Sequence, residues 1–440
     1  MQLDDRNTMM MQRFILLSPA GDFTALAAAL DNGADAIYFG VGKLNMRSLG
    51  SANFCLRDLP EIVRRCHVRG ASAWLALNTV IYEAELAEVE ALCQAAKAAG
   101  VAAVIAGDLA VLQIARACGL SVHLSVQANI CNSRAMQFYA GFVDVVVLAR
   151  ELTLSQIRKL CEQIQNDNIR GPSGNLLNVE IFIHGALCMA VAGSCYLSLA
   201  EYNSSANRGA CFQNCRRSYT LRDTETDAEI LLDQQYLLSP KDLCTLPVLD
   251  KILSSGVCIL KIEGRGRSAD YVAAVTSVYR EAINEFCSLG HIDREKIPAW
   301  QQRLKSVYNR GFWEGGYYLG DKISAWAKTG ENQAQYRKSF LGPIVNYYGK
   351  AQAAEATLQA GQLLPGEKVL IIGPTSGAIE VTVPEIRRDG QAISQACKGD
   401  TITFHCPDKV RPNDQLYRLQ AKRKNLHPPE KSDPGHGAGR

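Results

Sequence analysis

From Phe14 onward the chain alternates short apolar runs with longer amphipathic ones. The short runs are FILLSPA (14–20), AIYFG (36–40), SAWLALNTV (72–80), AAVIAG (102–107), SVHLSVQA (121–128), DVVVLAR (144–150), VEIFIHG (179–185) and CILKIEG (258–264). They have strand length and are rich in β-branched residues, and helical patterns such as DFTALAAALDNG and EAELAEVEALCQAAKAAG stand between them. Eight βα units in succession predict an α/β protein of TIM type, a (βα)8 barrel, in preference to an open doubly wound sheet. The period breaks once, where residues 186–257 separate the seventh and eighth strands.

Punctuation by Gly and Pro divides the rest. The expected organisation is a disordered start (1–13), a barrel (14–290) with a cysteine-rich insertion (186–257), a linker or helical segment (291–337), a small antiparallel β-barrel (338–420) and a disordered basic tail (421–440). The C-terminal barrel is read from short alternating runs in LLPGEKVLIIGPTSGAIEVTV and KGDTITFHCPDKV.

Of 440 residues, 47% are apolar and the net charge is only +3, so no field over the whole protein marks a polyanion binder. Charge is concentrated at the end: from Lys409 onward eight residues are basic and three acidic. Lys422, Arg423 and Lys424 are therefore candidate phosphate contacts, and Trp313, Tyr317 and Tyr318 candidate stacking residues, against the plainer readings of a solubilising tail and a sealed barrel base. No stretch approaches the roughly 20 apolar residues of a membrane helix, and acids occupy the N-terminus where a signal peptide is basic. A cytoplasmic protein without membrane contact is expected.

Among 15 cysteines most, such as Cys66, Cys93, Cys118 and Cys161, lie in apolar segments and read as core thiols of a reducing compartment. Four differ. Cys188, Cys195, Cys211 and Cys215 follow the seventh strand in a C-x6-C-x15-C-x3-C pattern on a loop rich in Gly and Ala. Four thiolates suit zinc or an iron–sulfur cluster. The open first spacing favours a [4Fe–4S] cluster over zinc, and free thiols are the third reading. Beside them, the C-terminal strand ends, where a TIM barrel keeps its active site, carry Asn78, Gln127, Asn129, Arg150, Glu151, His184, Glu263 and Arg265, with Arg267 just beyond. Each alone reads equally well as a helix cap or a surface ion pair; together on one face they mark a site.

These residues also carry a resemblance. LLSPAGDFTALAAALDNGADAIYFG, LSVQANICN, VVLARELTLSQI, EIFIHGALCMAVAGSCYLS, SANRGACFQNCRRSY, LLSPKDL and LKIEGRGRSADYV resemble the collagenase-like U32 peptidase family from Leu16 to Phe286, and more weakly through NRGFWEGGYY into the C-terminal region. Members of that family are similar to RNA hydroxylases acting on tRNA uridine or 23S rRNA cytidine. The resemblance thus implies a [4Fe–4S] cluster on Cys188, Cys195, Cys211 and Cys215, prephenate as oxygen donor, and tRNA as partner, with 5-hydroxyuridine formed at the wobble position. Ribosomal RNA is the alternative substrate. Chain length and a single C-terminal barrel favour the tRNA branch, although the link from Tyr219 to Leu237 is shorter than expected there.

In that setting His184, Glu263, Arg150 and Glu151 are the catalytic candidates, the first two for proton transfer. Arg150, Arg265 and Arg267 are candidate clamps for the two carboxylates of prephenate. Asn78, Gln127 and Asn129 are candidates for substrate contact, the latter two at the amide edge of a pyrimidine. Peptidase chemistry finds less support: neither H-E-x-x-H nor G-x-S-x-G occurs. His184 and Cys188 could mimic a dyad at i, i+4, but a sulfur committed to iron cannot attack a carbonyl.

Overall fold

The structure, a computed structural model, describes residues 14–217, 219–227, 229–231, 238–313, 327 and 332–422. The expected disordered start, Tyr317, Tyr318, Arg423, Lys424 and most of the basic tail lie outside the described residues.

Seven strands pair in parallel in chain order: β1 (Ile15–Ala20), β2 (Ala36–Gly40), β3 (Ser72–Ala76), β4 (Ala103–Ala106), β5 (Ser121–Leu124), β6 (Val145–Val147) and β7 (Asn178–Gly185). Between them run α1 (Phe23–Asp31), α2 (Leu59–Val68), α3 (Leu86–Ala99), α4 (Leu109–Ala117), α5 (Ser133–Ala140) and α6 (Leu154–Asn166). Asp22, Asp108, Asn132 and Thr153 each cap the helix that follows, their side chains accepting from backbone N–H groups of its first turn. The region 186–257 holds α7 (Leu197–Tyr202), a hairpin of β8 (Thr220–Arg222) and β9 (Glu229–Leu231), β10 (Asp242–Cys244) and α8 (Leu249–Leu253). β11 (Ile259–Ile262) then closes the ring: Leu260 pairs with Leu16 of β1 on one side and Ile181 of β7 on the other. A closed parallel barrel of eight strands results, as the sequence period predicts.

Each strand is buried on both faces, which is why its run is continuously apolar. Ile37, Phe39, Leu75, Val104 and Val122 turn outward to the helices, whereas Tyr38, Trp74, Ile105, Val145 and Ile259 fill the barrel interior. Three polar residues break that interior. The Lys261 ammonium meets the Glu180 carboxylate at 2.6 Å, both side chains almost fully buried. His123 stands edge-on to Trp74, ring centroids 4.3 Å apart.

Beyond β11 come α9 (Ala269–Leu289), α10 (Ile297–Ser306) and β12 (Phe312–Trp313). β10 runs antiparallel to the end of β7 and carries β12, so the wall is extended outward where the insertion leaves. The C-terminal region is an antiparallel sheet of eight strands with its own core around Leu341, Ile371, Phe404 and Leu416. Its long strand Tyr336–Tyr348 pairs first with Gln415–Ala421 and then with Ala353–Thr357. The sheet docks on the barrel's outer helices. A Cβ on Gly377 would lie 3.0 Å from the Ala28 nitrogen of α1, and Lys338 pairs with Asp270 of α9 at 2.7 Å. Among the described residues no helix is long and apolar enough to cross a membrane.

The buried pair makes a stability prediction. Lys261→Met leaves the Glu180 carboxylate uncompensated and should cost about 3–5 kcal/mol, whereas Lys261→Met combined with Glu180→Leu should recover most of it. Denaturant unfolding of the two variants checks this; equal losses would show that the charges do not depend on one another.

Candidate functional site at the barrel mouth

The predicted strand runs are longer than the paired strands. Residues 77–80, 125–128 and 263–264 lie past the last ladder positions, and their backbone turns away to form the mouth of the barrel. A cavity of about 640 Å³ opens there. Asn78, Gln127, Asn129, Arg150, Glu151, Cys188, Glu263 and Arg265 all line it, so most of the predicted ring is brought together.

Two predicted residues are placed elsewhere. His184 is 1% exposed and does not line the cavity; its ring lies among Tyr271, Tyr279 and Phe312, with Nδ1 3.4 Å from the Tyr279 hydroxyl. Burial pushes its pKa down to about 3, so it is neutral at physiological pH. Arg267 lies flat on the Tyr308 ring, 3.6 Å from its centroid, outside the cavity lining.

Sequence reading missed Arg47, Tyr38 and Lys261, which also line the cavity. Arg47 sits in the irregular 41–58 segment, where no motif announces it. The Lys261 signal was a charged residue inside an apolar run, mirrored by Glu180 in VEIFIHG, the run that forms the neighbouring strand.

Arg47 and Glu263 form the site's central ion pair. Arg47 Nε donates to Glu263 Oε1 at 3.1 Å, Nη2 donates to the same oxygen, and the Tyr38 hydroxyl donates to Oε2 at 3.3 Å. Burial pushes the Glu263 carboxyl up, but Arg47, by charge and hydrogen bond, with Arg265 and Arg150 behind it, more than offsets this and holds it at about 2. Glu263 is thus a fixed carboxylate. Arg265, 4% exposed, is pushed down to about 10 by burial and donates to Asn45 Oδ1 at 3.0 Å. The amides tie loops together: Asn78 accepts from the Met46 N–H at 3.2 Å and donates to Gln127 Oε1 at 3.3 Å.

Arg150 is different. One nitrogen donates to the Ala186 carbonyl at 3.1 Å and the guanidinium stacks 4.2 Å above the Phe182 ring, but Nε and Nη2 are buried without a protein acceptor. Buried donors of a charged group are rarely left unpaired. Held flat against a ring, this fork is preorganised to take an acceptor such as a carboxylate.

The cysteine loop lies against this wall. Arg216 pins it, donating to Ser239 Oγ at 2.7 Å, the Pro240 carbonyl at 2.8 Å and the Leu187 carbonyl. Gly209, with φ of +81°, allows the loop to press on the 41–58 segment, since a Cβ there would stand 2.1 Å from the Asn45 carbonyl. All four cysteines are free thiols. Burial raises the Cys215 pKa, Arg216 opposes it, and Cys188, Cys211 and Cys195 each add to the rise, so each of these three sulfurs lies within electrostatic reach of Cys215. The Gln213 N–H donates to Cys211 Sγ at 3.4 Å. Among the described residues no three His, Cys, Asp or Glu side chains close on a point that could hold a single metal ion.

The ion pair predicts a pH effect. Folding holds Glu263 below the about 4.3 of an unfolded glutamate, so its ionisation favours the fold at neutral pH, and the benefit fades as pH falls from there towards about 2. Arg47→Met should be less stable than wild type at pH 7, and the gap in unfolding midpoint should narrow through that acid window. A gap independent of pH would mean that Arg47 holds some other group.

Comparison with known proteins agrees with this architecture. A collagenase of Porphyromonas gingivalis is 44% identical over 409 residues, covering 93% of this chain and 98% of that protein. The tRNA hydroxylation protein P1 of Bacillus subtilis is 31% identical over 420 residues, covering 92% and 94%. The 23S rRNA 5-hydroxycytidine C2501 synthase of Escherichia coli is 35% identical over 423 residues, 94% of this chain and 57% of that longer protein. Residues 21–328, the barrel with its cysteine loop and the start of the following segment, match the pattern of Peptidase family U32, and the chain belongs to that family.

Proposed function

We propose that this protein hydroxylates RNA, forming 5-hydroxyuridine at the wobble position of tRNA with prephenate as oxygen donor and a [4Fe–4S] cluster as cofactor. The observation that carries the reading is that three unbridged thiols lie within electrostatic reach of a fourth, Cys215, with Cys188 itself in the wall of a cavity where Arg150 offers unpaired guanidinium donors. The donor set fits by its chemistry: four unbridged thiols, Cys188, Cys195, Cys211 and Cys215, would hold the cluster. When bound, the cluster supplies one-electron redox chemistry at the cavity edge.

The remaining roles belong to the chain's own side chains. Arg150 takes a carboxylate of the oxygen donor through Nε and Nη2. Glu263, ionised across the physiological range, cannot act as a general acid; it orients Arg47 and, with Glu151, sets a negative counterpoise to the cavity's cations Arg47, Arg150, Arg265 and Lys261. The Asn78–Gln127 pair offers donors and acceptors to a pyrimidine edge. Relatives named for tRNA and for rRNA hydroxylation support RNA as the substrate class.

The collagenase-named relative favours a second reading, peptide hydrolysis through Cys188. It lacks a base: among the described residues His184 makes no hydrogen bond to Cys188 and is buried against Tyr279.

Nucleoside analysis of RNA from a deletion strain tests the proposal. The expected result is loss of wobble 5-hydroxyuridine derivatives, restored by the wild-type gene and not by Cys188→Ser. Loss of 5-hydroxycytidine from 23S rRNA would move the substrate to the ribosome, and unchanged nucleosides together with gelatin cleavage would establish the peptidase. For Arg150→Ala the half-saturating prephenate concentration should rise about 10- to 100-fold, the worth of hydrogen bonds to a charged group.

A further inference from the structure

Seven of the eighteen exposed large apolar side chains among the described residues fall within 189–219, on the cysteine-bearing insertion. Four are aromatic: Tyr196, at 73% exposure, Tyr202, Phe212 and Tyr219. Clustered exposed aromatics mark interaction surfaces. Tyr202 and Phe212 lie 4.8 Å apart, and the Arg217 guanidinium stands 5.1 Å from the Tyr202 ring. A second Arg–Tyr stack borders the insertion: Arg208 lies 4.2 Å over Tyr82, itself 57% exposed and carried by the loop after β3.

Residues 186–222 contain four arginines and one acid, Glu201, and four acids, Asp223, Glu225, Asp227 and Glu229, follow directly. Of these arginines, Arg208 already pairs with Glu85 in a largely buried contact, and Arg217 pairs with Glu201 at 3.0 Å with both side chains exposed. Met189 and Val191 are both exposed and part of the cavity lining, so the same insertion reaches into the mouth. A base paired and stacked in a duplex cannot enter a cavity enclosed by a barrel rim; only one outside its stack can.

We infer that the outer face of the insertion docks unpaired RNA nucleotides, Tyr196, Tyr202, Phe212 and Tyr82 stacking the bases beside the one that enters the cavity while the exposed Arg217 exchanges Glu201 for a phosphate. The inference rests on the RNA reading above and adds to it where the RNA sits and which form it takes. Aromatic faces accept any base, so the surface selects unpaired strand over duplex and leaves sequence choice to the cavity.

Fluorescence polarisation with the full-length, anaerobically purified protein tests this, using a labelled stem–loop RNA and a fully paired duplex of the same composition. Tyr196→Ser, Tyr202→Ser and Tyr82→Ser should each weaken stem–loop binding about five- to a hundredfold, Tyr→Phe at the same positions should restore it, and duplex binding should be weaker and unmoved. Arg217→Glu should lower the salt dependence of stem–loop binding. Tyr82 lies on a separate loop from the cysteines, so its variants read stacking even if an insertion variant loses iron. Serine variants that bind like wild type, or that alter only self-association by light scattering, overturn the docking face while the nucleoside analysis still stands. A wild-type protein that binds no stem–loop, from a strain whose nucleosides are unchanged on deletion, overturns the RNA reading itself.

Discussion

The seam between β7 and β11 governs this molecule. These strands are neighbours in the ring although the insertion separates them in the chain, and they meet so closely that a Cβ on Gly185, whose φ is +104°, would stand 2.4 Å from the Glu263 carbonyl. From one side of the seam departs the cysteine loop; from the other projects Glu263, the carboxylate around which the arginines are arranged. The ring's hydrogen bonds thus fix the separation between the sulfur-bearing wall and the guanidinium-bearing floor, and a loop long enough to wander is instead held at both ends within one strand spacing.

Electrostatics at the mouth follows from burial. Arg47, Arg265 and Glu263 are costly to remove from water singly and tolerable only as a mutually neutralising group. Their side chains are consequently spoken for: Arg47 by Glu263, Arg265 by Asn45, Lys261 by Glu180. Arg150 alone of these retains buried donors without acceptors. The site is therefore selective by occupancy: several cations set a positive potential, and one presents a vacant fork.

The barrel was legible because strands buried on both faces must be uniformly apolar, and six connections of ordinary length leave the period intact. Strand ends were less so. SAWLALNTV and SVHLSVQA run on as apolar sequence past Ala76 and Leu124, yet the ladder stops there because the backbone must diverge to open the mouth. The cysteines stood out by spacing. The polar ring stood out by position, which identifies where a side chain starts but not where it points. His184 and Glu263 occupy equivalent strand ends, and one turns into the aromatic packing of Tyr279 while the other faces solvent-accessible space. Arg47 was invisible because its placement depends on a long-range contact, the insertion pressing on the 41–58 segment.

The position of the C-terminal sheet bears on how the ring is completed. It rests on α1 and α9, the helices that follow β1 and β11, the two strands joined last and separated by the longest stretch of chain in the barrel. Pairing across so many residues is entropically slow and the first ladder to open. A clasp across those two helices acts as a hoop on the join: it adds nothing to the chemistry at the mouth, yet it resists the splaying that would part Glu263 from Arg47.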